Sequence, residues 1–568
     1  MPGGLLQLVA VGAQNTFING NPSMTYFNAM YKRYSNFAME QFRLDFRGTD
    51  LNLAPGGPKS MRVKLARYGD MVHDCYLCVN IPDIYSPIVK SQILGTDNAY
   101  AYQFQWVKNL GYNMIQEVSL LINGTSIVTM TGEWMKLMTY MKYDATKRGI
   151  LDQMVGNIPE LYDPANANGR TSQYPNSVQP ADSTVIPSPS IPGRQLTIPL
   201  PFWFCEEIGQ SLPLVALTEA EVEIVITFRN IYQLFTVVDP RDLNNLPING
   251  GTFGQRIPGI PGDSYLGMQN FLSPPDFNGF PTNLELQNWN LNPYVEGNYI
   301  FLTETERAHV AGFERTYLIT QPRVVVFNNQ YGYNNTLIPM FNLCTRIVAV
   351  YQRTDLALLN QWDNYTNWIN PTTPPLDTNG YVGPIVLFTS GGVNPLIVTP
   401  QDILQEANLV LDGKDRFTTK NLNFFRYIEN YKYSTGDTSI LPGVYQYSFA
   451  INPNEITQPS GTLNGSMFNK TFLQYTLQVP PVNQDTTANP PVCVVKSTVF
   501  NPVPTPVPNP LPPTPPGFPP LYQQGQVLTI YNPPTENGQV WQYNTTVYIE
   551  SYNFLKVTSG IANIIFST

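Results

Sequence analysis

Residues 408–477 read N-L-V-L-D-G-K-D-R-F from Asn408 to Phe417, P-G-V-Y-Q-Y-S-F-A-I from Pro442 to Ile451, Q-P-S-G-T-L-N from Gln458 to Asn464 and F-L-Q-Y-T-L from Phe472 to Leu477. Tyr445, Tyr447, Phe449 and Ile451 alternate with Gln446, Ser448 and Ala450; Leu473, Tyr475 and Leu477 alternate with Gln474 and Thr476. Successive side chains of a strand point to opposite faces, so this period of two predicts half-buried strands rather than helices. Asp412-Gly413 follows an apolar run directly, where a tight turn needs residues that tolerate positive φ, and Pro459-Ser460-Gly461 marks a second reversal. The block reads as antiparallel β.

An earlier stretch has the same grammar. Val118 to Gly124 is again an apolar run closed by an Asx-Gly turn, with bulky aromatics following in each case: Trp134 here, Phe424 and Phe425 there. Ile198 to Phe204 and Val222 to Phe228 then supply a strand pair, as Tyr445 to Ile451 and Leu473 to Leu477 do later. Two β domains of one plan in tandem is the reading this supports, although identity between the halves is too thin to establish duplication against a chance echo.

Composition agrees. A chain of 568 residues accommodates two domains of roughly 200 to 250 residues each. Charged residues make up only 13%, against 52 Pro, 40 Gly, 34 Tyr and 29 Phe, the balance of many short strands joined by turns. The net charge of -9 and the lack of a Lys/Arg-rich arm argue against direct nucleic-acid binding. Five cysteines do not make a disulfide framework, which points to a reducing compartment. Cys75 and Cys78 form C-x-x-C, but Val72 to Ile81 reads as a strand, whose positions three apart face opposite ways, so a zinc or redox role is the weaker reading.

Leu5 to Ala13 is apolar but short, and the first basic residue is Lys32; it reads as neither signal peptide nor membrane span. Asn21-Pro22 predicts a helix start, with Met24, Phe27, Tyr31 and Tyr34 as its apolar stripe. Lys32-Arg33 reads as an isolated solvated pair. Thr131 to Asp144 predicts a second helix, with Trp134, Leu137, Met138 and Met141 as core. Asn157 to Gly193 and Pro240 to Pro293 are aperiodic loops, expected to be functional surface or disordered. Asn501 to Pro520 is proline-rich and excluded from a central sheet; it reads either as a stiff connector along the surface or as an outward projection.

Enzyme chemistry finds little footing. His73 and His309 are the only histidines, and no phosphate-binding loop, zinc-protease or nucleophile-elbow motif occurs. Gly262-Asp263-Ser264 superficially resembles a serine-hydrolase turn, with Asp70 three residues before His73, but the order along the chain is wrong. No catalytic residue, metal ligand or cofactor is assigned. Asn123, Asn334, Asn364, Asn464, Asn469 and Asn544 each begin an N-x-[ST] triplet; the last five are the candidate glycosylation positions.

Gly3 to Ala10, Gly12-Ala13-Gln14, Gly20-Asn21-Pro22, Tyr31 to Tyr34 and Asn36 to Glu40 together resemble the opening of the major capsid proteins of large icosahedral double-stranded DNA viruses. The resemblance continues in order through Gly69-Asp70, Leu212 to Leu217, Tyr299 to Leu302 with Glu306-Arg307, Tyr317 to Ile319, Leu411 to Phe417, Gly443 to Gly461 and Tyr552 to Leu555 with Ser559-Gly560.

The resemblance implies an all-β chain of two tandem eight-stranded antiparallel jelly rolls with few short helices. The expected layout is an arm and short helix over 1–34, a first roll over 35–303 with insertions near 157–193 and 240–293, a linker over 304–312, and a second roll over 313–568 with a proline-rich loop near 480–525. The implied function is a non-enzymatic major capsid protein whose homotrimers form pseudo-hexagonal capsomers tiling an icosahedral shell. Expected partners are further copies of the chain, minor capsid and penton proteins, and inner membrane-associated proteins indirectly, without direct nucleic acid. The expected location is the virion's outer shell, assembled in host cytoplasm. Gln14, Asn21, Pro22, Phe27, Tyr31 and Arg33 are the assembly residues expected at the inward base of the capsomer. The alternatives are a glycan-binding jelly-roll lectin, for which Tyr and Trp are available, or a minor capsid or penton-like protein.

Overall fold

The computed structural model describes residues 3–29, 31–48, 50–53, 56–90, 99–182, 184–238, 256–261, 263, 266–286, 288–368, 371, 400–480 and 541–566. The proline-rich tract, the strand expected near Val527, Cys493, Ser264 and the first part of the Pro240 loop lie outside these residues.

Sixteen strands carry the architecture. The first eight are β1 (Phe37–Asp45), β2 (Lys59–Lys64), β3 (Met71–Ile81), β4 (Ile115–Ile122), β5 (Thr125–Thr131), β6 (Arg194–Pro199), β7 (Val222–Phe228) and β8 (Tyr294–Leu302). The second eight are β9 (Arg315–Gln330), β10 (Tyr333–Leu337), β11 (Leu343–Arg353), β12 (Leu404–Leu411), β13 (Lys414–Asp415), β14 (Val444–Ser448), β15 (Thr471–Leu477) and β16 (Tyr543–Thr558). The first half forms sheets ordered β1-β8-β3-β6 and β2-β7-β4-β5. The second forms β9-β16-β11-β14 and β10-β15-β12-β13, so adding eight to each strand number of the first half gives the second. This shared order of two antiparallel sheets is the jelly-roll arrangement, present twice. The echo between the halves is therefore an echo of topology.

Two turns set this up locally. Asn123 and Gly124 take φ of 54° and 79° between β4 and β5, and Asp412 and Gly413 take 46° and 80° between β12 and β13. Asx-Gly tolerates both positive values, so each apolar run folds back on itself.

The two strand pairs read from the sequence are corrected. β14 bonds to β11, whereas β15 bonds to β10 and β12, in the opposite sheet. β6 and β7 likewise belong to different sheets. Alternation reports a buried face and says nothing of the hydrogen-bonded neighbour, which here lies far along the chain: Phe37 opposes Leu302 and Arg315 opposes Val557. β14 also stops at Ser448, short of Ile451, because the Ser448 hydroxyl donates to Ala450 O (2.8 Å) and accepts from Ala450 N (3.2 Å), diverting the backbone from the ladder.

The helix read over Thr131 to Asp144 spans Gly132–Lys142, with Thr131 Oγ1 accepting from Trp134 N at 3.1 Å. The 304–312 segment is a helix, Glu304–Gly312, clasped to the first roll by Arg307, whose Nε and Nη2 reach the Asp70 carboxylate at 2.7 and 3.1 Å. The 157–193 segment is pinned to the first roll: Tyr174 donates to Phe104 O (2.6 Å), Asn176 to Tyr102 O (2.6 Å) and Ser177 N to Ser86 O (2.9 Å). Among the described residues, no helix is long and apolar enough to cross a membrane.

Candidate assembly surfaces

Residues facing inward from β11, β14 and β16, among them Ile347, Ala349, Tyr351, Tyr445, Val547 and Ile549, fill the second roll. The residues between them face the other way: Val348, Val350, Val444 and Tyr548 pack into the core of the first roll. The β9-β16-β11-β14 sheet is thus covered on both faces through its middle. Its outer cover is the Gly132–Lys142 helix, whose Trp134 ring lies 5.1 Å from Tyr548.

Polar groups lock this seam in one orientation. Glu133 accepts from Tyr365 OH (2.7 Å) and Tyr548 OH (2.6 Å). Burial first, then the neighbouring Glu133 charge, pushes both phenols well above their ordinary pKa, so they remain donors. Lys136, fully buried, forms an ion pair with Asp363, which also accepts from Asn109 Nδ2 (2.7 Å) and Asn113 Nδ2 (3.0 Å). Arg346, equally buried, donates from Nε to Glu550 (2.6 Å) and from Nη1 to Asn454 (2.8 Å), and its Nη2 lies 3.1 Å from Met138 Sδ. Asn360 donates across the seam to Tyr232 O (2.7 Å) and Phe235 O (3.0 Å). Breaking such buried pairs leaves uncompensated charge, so the two rolls behave as one rigid piece.

Sequence reading missed Glu133, Lys136, Arg346, Asp363 and Glu550. The available signal was a charge interrupting an apolar run, as at Lys136 between Met135 and Leu137, or Glu550 beside Val547 to Ile549.

The helix expected to start at Asn21-Pro22 is corrected. No helix begins at Asn21-Pro22; the described helices are Gly3–Val9 and Thr16–Asn19, and Asn21 takes φ 48°. An amphipathic stripe on so short a segment gains nothing without a surface to cover, and the described residues offer it none. Gln14, Asn21, Pro22, Phe27, Tyr31 and Arg33 are all exposed, Phe27 completely.

The candidate glycosylation positions differ in access. Asn464 and Asn469 are exposed, and Asn334 and Asn544 are half-buried. Asn364 is buried, with its amide donating to Gln361 Oε1 (3.0 Å) and Trp368 O (2.8 Å), so a glycan there is incompatible with the folded seam. The residues weighed for catalysis have structural partners: Asp70 is held by Arg307, and His73 Nδ1 lies 2.7 Å from Phe204 O. Cys75 lies in the core, while Cys78 turns toward Thr197.

Two jelly rolls of one topology, fused through an interlocked seam, define the double jelly-roll class of shell-forming proteins. Family models agree: "Major capsid protein N-terminus" matches residues 25–255 and "Large eukaryotic DNA virus major capsid protein" matches 306–494. Probable capsid protein 4 of Acanthamoeba polyphaga mimivirus is 25% identical over 549 residues, 86% of this chain and 94% of the relative. The major capsid protein of Phaeocystis pouchetii virus is 26% identical over 558 residues, 88% and 98% of the two chains. The Faustovirus major capsid protein shares the fold over 96% of each chain, with a TM-score of 0.58 at 12% identity. The chain belongs to the major capsid proteins of the large eukaryotic DNA viruses. It is a structural, non-enzymatic capsid protein of the virion.

Proposed function

We propose that three copies close into a ring of six jelly rolls, a capsomer with threefold symmetry and a pseudo-hexagonal outline, and that such capsomers tile an icosahedral shell through weaker side contacts. The observation carrying this reading is the doubled topology held rigid by the seam: two like-built units in one body are what a hexagonal outline needs from a threefold object. The exposed arm, with Phe17, Tyr26, Phe27 and Tyr31 each about nine-tenths exposed or more, supports a role in joining neighbours at the inward base. Assembly in host cytoplasm and contact with minor capsid and penton proteins complete the reading.

Light scattering on the purified chain tests it. The expected mass is three times 63.8 kDa; a monomer retained on an immobilised glycan would overturn it in favour of a lectin. Asn464 and Asn469 are the proposed carriers of any N-linked glycan, and an intact mass equal to the bare chain would sink that assignment.

A further inference from the structure

We infer that the exposed face of the helical segment 424–433 docks on the outer face of the β1-β8-β3 sheet in the first roll of a second copy. This names the contact surface within the ring proposed above and rests on that reading.

The first roll places its Gly132–Lys142 helix after β5 and before β6; the second places a π-turn, Phe424–Ile428, and an α-turn, Glu429–Tyr433, after β13 and before β14. The two segments are topological counterparts. In the first, Trp134, Met138 and Met141 form a stripe at steps of four and three, and it lies at the seam: Trp134 stacks near Tyr548, Met138 meets Arg346, and Met141 O accepts from Thr435 N at 3.0 Å. In the second, Phe424, Ile428 and Tyr431 repeat the same steps, with Phe424 packed on the second roll's own core and the next two positions turned outward. Ile428 and its neighbour Tyr427 are each 54% exposed and Tyr431 is 91% exposed, with no partner face among the described residues.

The surface that should receive this stripe is equally identifiable. In the second roll the receiving strands are buried on both faces: the middle of β16, Val547 to Asn553, has no position facing water. Its counterpart β8 alternates instead. Val295, Gly297 and Tyr299 are buried, whereas Tyr294, Glu296 and Asn298 are half-exposed on the outer face. Arg43 on β1 opposes Glu296 and stacks over the Tyr294 ring at 4.1 Å, and Tyr76 on β3 opposes Glu296 from the other side. One end of the chain thus carries an uncovered knob and the other an uncovered seat, each the counterpart of a surface already mated inside the chain. A second copy is the occupant that satisfies both, and repeating the contact head to tail closes a ring when the rotation is threefold.

The two seams differ in chemistry in the direction this role requires. The seat inside the chain is mostly apolar, with Val348, Val350 and Tyr548 beside one buried pair, Arg346 and Glu550; the seat offered to another copy is Arg43, Tyr76, Tyr294, Glu296 and Asn298, which stays soluble until a partner arrives.

Tyr431→Glu tests the inference, because this side chain is exposed in the single chain and its replacement leaves the roll's core untouched. The wild type is expected to be trimeric, and the variant to dissociate at concentrations at least about tenfold higher with unchanged circular dichroism. A second measurement pairs Ile428→Cys with Asn298→Cys in one chain: a short bismaleimide should give two- and three-chain bands on a denaturing gel that neither single variant gives. A trimeric Tyr431→Glu protein, or a trimeric double-cysteine protein yielding no such bands, overturns this surface and leaves the trimer standing. A monomeric wild type overturns the trimer and the surface with it.

Discussion

Asp363 holds three donors from the first roll while sitting in the second, and Lys136 beneath it has no water to fall back on. Asp363→Ala should therefore cost about 3–5 kcal/mol, because it strands a buried ammonium. Replacing both partners, Lys136→Met with Asp363→Leu, should recover most of the loss; urea midpoints of the three proteins check this. Glu206 makes a second argument at this scale. Burial is the largest influence on it and outweighs the opposing Lys142 charge, so its pKa is raised above the ordinary carboxylate value. The folded state then holds that proton more tightly than the unfolded chain. The penalty of ionised Glu206 is absent below the ordinary carboxylate range and grows as pH rises toward the raised value. The wild type should accordingly gain stability relative to Glu206→Gln as pH is lowered from about 7 to about 4, read as the difference between their unfolding midpoints. A difference that stays flat over that range would contradict the assignment.

Elements were legible where chemistry is local. Asn123-Gly124 and Asp412-Gly413 announced their turns because few residue pairs accept two positive φ values in succession, and the Gly132–Lys142 helix followed from an apolar stripe at helical spacing. Partners were illegible, since a period of two names a face and a jelly roll joins strands hundreds of residues apart, as Arg315 with Val557 shows. The seam charges were missed because a lysine in a helix ordinarily faces water. The arm was read as a helix because the pattern of Met24, Phe27 and Tyr31 matches one; exposed along nearly all its length, it meets no packing surface among the described residues. Its hydrophobic side chains point to a surface supplied by a neighbour. Deleting Pro2 to Gly20 should leave the trimer intact and impair closure of the shell; electron micrographs of normal particles from the truncated chain would refute that role.

At the scale of the whole molecule, the trimer proposed above would let a single gene product present six similar flanks from three copies. Half of that ring's roll-to-roll contacts would be made inside the chain at folding, and the other half would wait for assembly. The covalent half needs no concentration to form, which is consistent with its seat being the more apolar of the two.

β8 and β16 are the last jelly-roll strands of their halves, yet each lies in the interior of its sheet, between β1 and β3 or between β9 and β11. A nascent chain can thus complete its first roll once residue 302 has emerged, but the second cannot acquire its inner strand until Tyr543 to Thr558 are free. The seam draws Tyr548 and Glu550 from that same strand. A chain cut before Tyr543 therefore loses the inner strand of the second roll and both of these contacts together.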